Sequence, residues 1–352
     1  MTRMLLTLLL TASVCMFGCG EKPAEGPSGQ ESGPKEAPGP SSPDSSISAT
    51  PEKQPEMRRL DQPSPGPKTV GVSLLTMEHN FYQELRRGLE EKAKEHNYKL
   101  LVVSGDMDPA KQANQIDNFI VQDVDAMVIC PCDSRSVGGS IAEANKADTP
   151  VFTADIANLS TKGFVVSHIA SDNYQGGVVA GELMVRALSE KQGMAEGDVS
   201  GSLVVINHPA VTSVLERVAG FRDVIDEYPN LKIVADVPAW GQRARAMAVT
   251  EDILQSVPQI DGVFGINDDS ALGALAAIEA ADRLDQIVII GYDATPEARK
   301  AISDGKIYGD TIQYPHLIGT TTIETIRSYF AGEPVPAVIP IETGAWTAES
   351  AE

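Results

Sequence analysis

An α/β fold with two lobes, each a parallel sheet flanked by helices, is the fold class that this sequence predicts. From Thr69 onward, strand-like and helix-like patterns alternate, and the alternation runs through two successive sets. Such alternation produces βαβ units with right-handed crossovers and helices on both sheet faces. Strand-like runs also end in an acid or an amide, at Asp155, Asn267, Asp293 and Gln313. Because ligands bind outside the carboxyl ends of parallel strands, these positions predict a binding cleft.

The first set alternates apolar runs with amphipathic stretches. The run TVGVSLL from Thr69 is uncharged and mostly apolar, as is typical of a strand buried on both faces, and the next stretch carries its charges on one helical face. The dipeptide Asp108-Pro109 predicts a turn before the second helix. The predicted strands lie at 69–75, 98–105, 125–131 and 150–155, and the predicted helices at 81–97, 109–122 and 134–147.

The second set begins near residue 163 and repeats this order without a clear sequence repeat. A helix rich in Gly, Ala and Val starts at Asn173, directly after a strand-like run. The later elements are strands at 202–207, 231–239, 262–267 and 286–293, and helices at about 212–228, 243–257 and 270–280. Two successive sets predict two similar lobes of ordinary domain size.

The first eighteen residues predict a secretory signal peptide, because Arg3 precedes a short apolar stretch. Gly18-Cys19 resembles the end of a bacterial lipoprotein signal, which implies cleavage before Cys19 and a lipid on its sulfur. The alternative is an ordinary signal with an incidental cysteine. Residues 19–67 then form a lipidated Cys and a Pro-, Ser- and Gly-rich tether that is too polar to fold.

Charge and cysteine usage narrow the class of protein further. The formal net charge of -21 argues against nucleic acid as a partner, because phosphate contacts need a basic surface. Besides Cys15 and Cys19, the sequence holds Cys130 and Cys132 in a C-P-C spacing that is tight for a disulfide. We expect two buried or cavity-lining thiols, with a redox pair as the alternative.

The polar groups at the predicted strand ends suit a small sugar. Carboxylates at Asp155 and Asp293 accept from hydroxyl pairs, Asn267 both donates and accepts, and Arg217 donates a fork of N–H groups. Each acid alone is equally consistent with a helix cap or turn, but the recurrence at one topological place favours a joint site.

Aromatic residues could cover the faces of a sugar ring. Phe81 and Tyr82 open the first predicted helix, where a core position is the alternative. Tyr292 precedes Asp293, and Trp240 lies in a predicted loop.

Enzyme classes have less support. The five histidines are scattered, and no G-x-S-x-G, Walker A or H-E-x-x-H pattern occurs. The sequence therefore predicts a binding protein without a catalytic residue, a metal or a cofactor.

Several long phrases resemble the ribose-binding protein family, the sugar receptors of bacterial ABC importers. They are VVSHIASDN, DGVFGINDDSALGALAAI, VIIGYDATPEARKAI and the opening strand with Phe81-Tyr82, and the similarity runs from Thr69 to about Ile341. The resemblance implies the type I periplasmic binding fold, with two Rossmann-like lobes and a three-segment hinge. The N-terminal lobe then comprises residues 68–171 and 314–342, and the C-terminal lobe residues 172–313 and 343–352.

The resemblance also implies a set of sugar ligands. They are Phe81, Tyr82, Asp155, Ser171, Arg217, Asn267, Tyr292, Asp293 and Gln313. Secondary candidates are His79 and Cys130, which replace asparagines of ribose receptors, Ile156, which replaces a clamping arginine, and the displaced aromatic Trp240. Loss of a guanidinium at Ile156 leaves a ribose hydroxyl without its donor, so we expect a different pentose, a deoxy sugar, a hexose or a polyol.

The function implied is that of a lipid-anchored protein of the periplasm or cell surface. It binds a monosaccharide in the interlobe cleft and delivers it to an ABC permease and its ATPase. The alternatives are a sensor for a chemoreceptor or histidine kinase without transport, and a sugar-modifying enzyme on the same scaffold.

Overall fold

The computed structural model of the protein describes residue 64 and residues 66–351. The predicted signal peptide, the predicted lipid on Cys19 and nearly all of the predicted tether lie outside the described residues. Within residues 66–351, none of the helices has the length and apolar character needed to cross a membrane.

Twelve strands and nine α-helices make up the described chain. The strands are β1 Thr69–Leu74, β2 Lys99–Ser104, β3 Ala126–Ile129, β4 Val151–Ala154, β5 Ser167–Ser171, β6 Gly201–Asn207, β7 Leu231–Pro238, β8 Gly262–Gly265, β9 Val288–Asp293, β10 Gly309–Ile312, β11 Val338–Ile341 and β12 Gly344–Thr347. The helices are α1 Asn80–Glu95, α2 Pro109–Val121, α3 Gly138–Lys146, α4 Asn173–Gln192, α5 Thr212–Asp226, α6 Arg243–Ser256, α7 Asp268–Ala280, α8 Pro296–Ser303 and α9 Pro315–Phe330. Two 3₁₀ turns lie at Glu196–Asp198 and Ala348–Ala351.

The strands form two six-stranded sheets, one for each lobe. The first sheet has the order β11-β5-β4-β3-β1-β2 and is parallel throughout. The second has the order β12-β10-β9-β8-β6-β7. The chain passes between the sheets after β5, after β10 and after β11, which gives the predicted hinge of three segments. The predicted α/β fold with two lobes is confirmed.

One strand departs from the expected parallel arrangement. β12 pairs antiparallel with β10, whereas β10 pairs parallel with β9. Because β10 leaves the second sheet at the hinge and β12 enters that sheet from the hinge, the two neighbours must run in opposite directions. A strand at the edge accepts this exception without disturbing the parallel strands beside it.

Polar residues before the helices explain why several helices begin where they do. The Asp108 carboxylate accepts hydrogen bonds from Ala110 N at 2.8 Å and Lys111 N at 3.1 Å, with Pro109 in the first helical position. The Asp172 carboxylate accepts from Gln175 N at 3.0 Å at the start of α4. Side-chain oxygens at this position satisfy N–H groups that the first helical turn leaves unpaired.

The helix predicted from Ser134 begins four residues later, at Gly138. Ser134 N donates to Ala210 O at 3.0 Å, and the Ser134 hydroxyl accepts from Thr212 N at 3.0 Å. Both partners precede or open α5 in the other lobe. Ser134 therefore forms a contact between the lobes and is not part of the first turn of α3.

Helices α1 and α9 pack against each other through glycines on the outside of the first sheet. A Cβ atom at Gly88 would lie 2.2 Å from His316 O, and one at Gly319 would lie 2.3 Å from Leu85 O. The absence of a side chain therefore sets how closely these helices approach.

We expect Gly88→Ala to lower the free energy of unfolding by about 1–3 kcal/mol, because the added methyl forces the packed helices apart. Gly139→Ala is the matched control, since no atom lies within 4 Å of its Cβ position. That replacement should raise stability by about 0.5–1 kcal/mol through helix propensity. Urea unfolding measures both, and equal effects of the two replacements would contradict close packing at Gly88.

Candidate functional site

A cavity lies between the two lobes at the carboxyl ends of the strands, and we call it the inner cavity. Its empty volume is about 400 Å³, open solvent at the mouth included. Most of the predicted site residues line it: His79, Phe81, Tyr82, Asp155, Ile156, Arg217, Asn267, Asp293 and Gln313. The rest of the lining is Leu75, His208, Val211, Ser213, Val214, Gly241 and Ile266.

Asp155 and Tyr82 form the polar wall from the first lobe. Asp155 follows β4 and has a left-handed backbone with φ of 65°. The Tyr82 hydroxyl donates to Asp155 Oδ2 at 2.6 Å, and both side chains are buried. Asp155 Oδ1 is buried without a hydrogen-bond partner among the described residues. Burial raises the pKa of Asp155, and Arg217 and Tyr82 oppose this rise.

Arg217 enters the cavity from α5 and is held from behind. Its Nε donates to Asn173 Oδ1 at 2.8 Å, and a terminal nitrogen donates to Ile266 O at 2.8 Å. The guanidinium carbon lies 3.9 Å from the centre of the Tyr292 ring. Tyr292 is fully buried and lies outside the cavity lining. Tyr292 therefore supports Arg217 and does not itself line the cavity.

Asp293 and Gln313 are the polar groups from the ends of β9 and β10. Gln313 Nε2 donates to Asp293 Oδ1 at 2.6 Å, and Gln313 Oε1 is buried without a partner among residues 66–351. Burial raises the pKa of Asp293 well above its ordinary value, although Arg217 lowers it. Asp293 also has a positive φ of 115°. Such strain is concentrated at functional sites in proteins.

Asn267 is both a helix cap and a residue of the cavity wall. Its Oδ1 accepts from Ser270 N at 2.9 Å at the start of α7, as a helix cap does. Its Nδ2 donates to Gly241 O at 3.2 Å while the side chain lines the cavity. A cap residue at a strand end is therefore available to a ligand as well.

Three further predicted residues lie outside the lining. Ser171 is buried at the first hinge crossing, and its hydroxyl has no partner in the described chain. Cys130 is fully buried in the core of the first lobe, and burial raises the pKa of its thiol well above the ordinary value. Both Cys130 and Cys132 are free and buried, so neither is disulfide-bonded. Trp240 is 38% exposed and meets His208 edge-on at 5.4 Å, so Gly241 reaches the cavity instead.

The loop after β6 and the first turn of α5 contribute four lining residues that were not identified from the sequence. His208, Val211, Ser213 and Val214 all line the inner cavity. The signal was present, because the run VVIN ends in the amide Asn207, like the other strand ends. His208 directly follows that amide and lies outside a helix, so its side chain does not serve as a helix cap.

The lobes are in contact around the cavity. Ala157 N donates to the Thr212 hydroxyl at 2.7 Å, and Gln242 Nε2 donates to Met107 Sδ at 3.1 Å. His79 Nε2 lies 3.7 Å from Asp269 Oδ2. Each pair joins the first sheet's lobe to the second sheet's lobe, which brings both sets of polar groups to one small space.

The site combines hydrogen-bond acceptors, a fixed guanidinium and an apolar wall. Ile156, Val211 and Ile266 supply aliphatic surface beside Asp155 and Arg217. This mixture fits a compact ligand with several hydroxyl groups and some C–H surface.

The fold and this site define a solute-binding protein of two hinged lobes. The chain belongs to the periplasmic binding protein domain family, whose model matches residues 70–334. It is 34% identical over 274 residues to the ribose import binding protein of Haemophilus influenzae, covering 78% of this chain and 89% of that protein. It is 31% identical over 260 residues to the D-apiose import binding protein of Paraburkholderia graminis, covering 73% and 80%.

A solved structure with the same architecture is the carbohydrate transporter solute binding protein of Agrobacterium radiobacter, in complex with D-arabinose. It superposes with a TM-score of 0.75 at 26% identity, covering 81% of this chain and 96% of that chain. The resemblance to sugar receptors expected from the sequence is thereby confirmed.

We expect the unliganded protein to lose stability through His208 as the pH falls from about 6.5 to 4. Burial, together with His79, lowers the pKa of His208 to about 4. The unfolded chain therefore binds a proton in this window that the folded chain does not, which lowers the free energy of unfolding by up to about 3 kcal/mol at pH 4.

Urea unfolding of the wild type and of His208→Asn at pH 7, 5.5 and 4 measures this effect. The stability of His208→Asn relative to the wild type should rise as the pH falls. A difference that does not change with pH would show that the folded protein protonates this imidazole freely.

Proposed function

We propose that this protein binds a neutral monosaccharide or polyol in the inner cavity and delivers it to an ABC importer. The observation that carries the proposal is the pair of buried acceptors without partners, Asp155 Oδ1 and Gln313 Oε1, beside the donors Arg217 and Asn267. An unpaired buried acceptor costs about 1–3 kcal/mol, and a ligand hydroxyl recovers that cost. The relatives from Haemophilus influenzae and Paraburkholderia graminis, which are import binding proteins for ribose and D-apiose, support the same class of ligand.

The apolar part of the wall favours a sugar other than ribose. Ile156 is 1% exposed and lies beside Asp155, where its side chain offers no hydrogen bond. A hydroxyl facing Ile156 would lose its water without gaining a partner. The ligand proposed is therefore a pentose, hexose, deoxy sugar or polyol that presents C–H surface there.

Binding requires no covalent step. A sugar bound by Asp155 on one lobe and by Arg217, Asn267 and Asp293 on the other favours the closed arrangement over an open one. The closed surface is what a permease recognises in this proposal. A lipid on Cys19 and the tether that follows it would hold the lobes near the membrane that contains the permease.

We expect one sugar or a pair of epimers to raise the melting temperature of the protein purified without its predicted signal and lipid, as residues 20–352. A ligand at about 100 times its Kd adds roughly 2.7 kcal/mol to the free energy of unfolding. The panel comprises pentoses, hexoses, deoxy sugars and polyols, followed by recovery of the bound sugar unchanged. No shift with any member, or chemical conversion of the sugar, would contradict the proposal.

We expect Asp155→Asn to weaken binding of that sugar roughly 10- to 100-fold, because a charged acceptor is replaced by a neutral amide. Asp223→Asn is the matched control. Tyr174 OH donates to Asp223 Oδ2 at the same 2.6 Å on the surface of the second lobe, so this variant breaks an equivalent bond outside the cavity.

Isothermal titration of both variants measures the difference. Equal affinities in Asp155→Asn and the wild type would remove Asp155 from the site.

A further inference from the structure

A second and larger cavity adjoins the inner one, and we call it the outer cavity. It has an empty volume of about 900 Å³, open solvent included, against about 400 Å³ for the inner cavity. Its walls come from the starts of α1, α8 and α9. Phe81, Asp293 and Gln313 line both cavities, so these three side chains form the boundary between them.

These three boundary residues face the proposed sugar site in the inner cavity on one side and the outer cavity on the other. The Phe81 ring is 6% exposed and packs edge-on against Tyr82 with centres 5.1 Å apart. Gln313 is 4% exposed and keeps its Oε1 atom without a partner in the described chain. A ligand held by Asp293 and Gln313 therefore lies next to the outer cavity.

The outer cavity is lined largely by apolar surface. Tyr314 and Leu317 are 45% and 48% exposed and lie together in this wall, and Pro296 and Pro315 extend the same surface. Exposed apolar surface that is gathered in a concave place marks a binding site more often than scattered single residues do.

Charged groups around the outer cavity already have partners. Glu84 accepts from Arg87 at 2.6 Å, and His316 lies 2.7 Å from Glu91 Oε2. Arg299 donates to Ala294 O at 2.6 Å and stacks 3.9 Å above the Trp346 ring. A second sugar unit would find few unpaired groups here, whereas an apolar group needs none.

We propose that the outer cavity binds an apolar substituent attached to the sugar, so that the natural ligand is a small alkyl or aryl derivative of a monosaccharide. The polar part occupies the inner cavity and the substituent packs between Phe81, Tyr314 and Leu317. This inference rests on the proposed function, because it requires a sugar in the inner cavity.

The test uses the purified protein, residues 20–352, and the sugar that gives the largest shift in melting temperature. Mono-O-benzyl derivatives of that sugar, one for each hydroxyl and both anomeric glycosides included, are titrated by calorimetry. We expect one derivative to bind roughly 3- to 10-fold more tightly than the free sugar, through aromatic contact with Phe81 and Tyr314. The other derivatives should bind more weakly, because their benzyl groups meet the closed walls of the inner cavity.

Tyr314→Ala and Leu317→Ala locate the substituent. Because both side chains are about half exposed, their removal leaves the core intact, and each variant should lose the gain from the benzyl group while its affinity for the free sugar stays within about 2-fold. Leu159→Ala is the matched control, since Leu159 is also 48% exposed but lines neither cavity.

Two results would overturn the inference. One is weaker binding of every benzyl derivative than of the free sugar. The other is an equal loss for free and benzylated sugar in the Tyr314 and Leu317 variants, which would assign these residues to the hinge. A panel in which no sugar binds contradicts the proposed function itself, and that result appears before any derivative is tested.

Discussion

The buried guanidinium of Arg217 is the constraint around which the site is arranged. Taking a cation out of water is costly unless charges and hydrogen bonds replace the solvent. Burial alone would lower the pKa of Arg217, but Tyr292, Asp293 and Asp155 raise it above its ordinary value. The start of α4 and the carbonyl of Ile266 accept hydrogen bonds from this side chain, and the acids after β4 and at the end of β9 act on it through their charge. Asp155 is the one of these groups that belongs to the first lobe, and the others hold Arg217 from within the second lobe.

This arrangement also suits the neutral ligand that we propose. Asp155 and Asp293 both interact electrostatically with Arg217, and the burial of both carboxyls raises each pKa. An anion would bring a further negative charge to two acids, and a cation would compete with the guanidinium for them. A neutral molecule with hydroxyl groups changes none of these charges, so it can be exchanged without an added electrostatic cost.

Much of the fold could be predicted because the signals are periodic and local. Continuous apolar runs identify strands buried on both faces, and caps such as Asp108 and Asp172 mark helix starts. The antiparallel β12 could not be predicted, because its direction depends on where the chain crosses between lobes. The predicted start of α3 was wrong because it also depends on a distant part of the chain. Ser134 forms hydrogen bonds with residues about 75 positions later in the sequence.

The site could be predicted only in part. Strand-end acids and amides such as Asp155 and Gln313 carry their own signal, because topology alone brings those ends together. The sequence gives no comparable indication of whether an aromatic side chain is buried behind the site or lines it. Tyr292 supports Arg217 from behind, and the loop conformation at Trp240, with φ of 59°, turns that ring away from the cavity. Sequence neighbours of strand ends are therefore poorer guides than the strand ends themselves.

The crossings between the lobes have a consequence for how the protein is made. Neither sheet is built from one continuous stretch of chain, because the first receives β11 and the second receives β12 from the last residues of the fold. The first lobe therefore lacks an edge strand until translation has passed residue 341, and the second lacks one until residue 347. A chain with this connectivity completes its two lobes almost simultaneously, at the very end of its synthesis, so neither sheet can be complete while most of the chain is still being made.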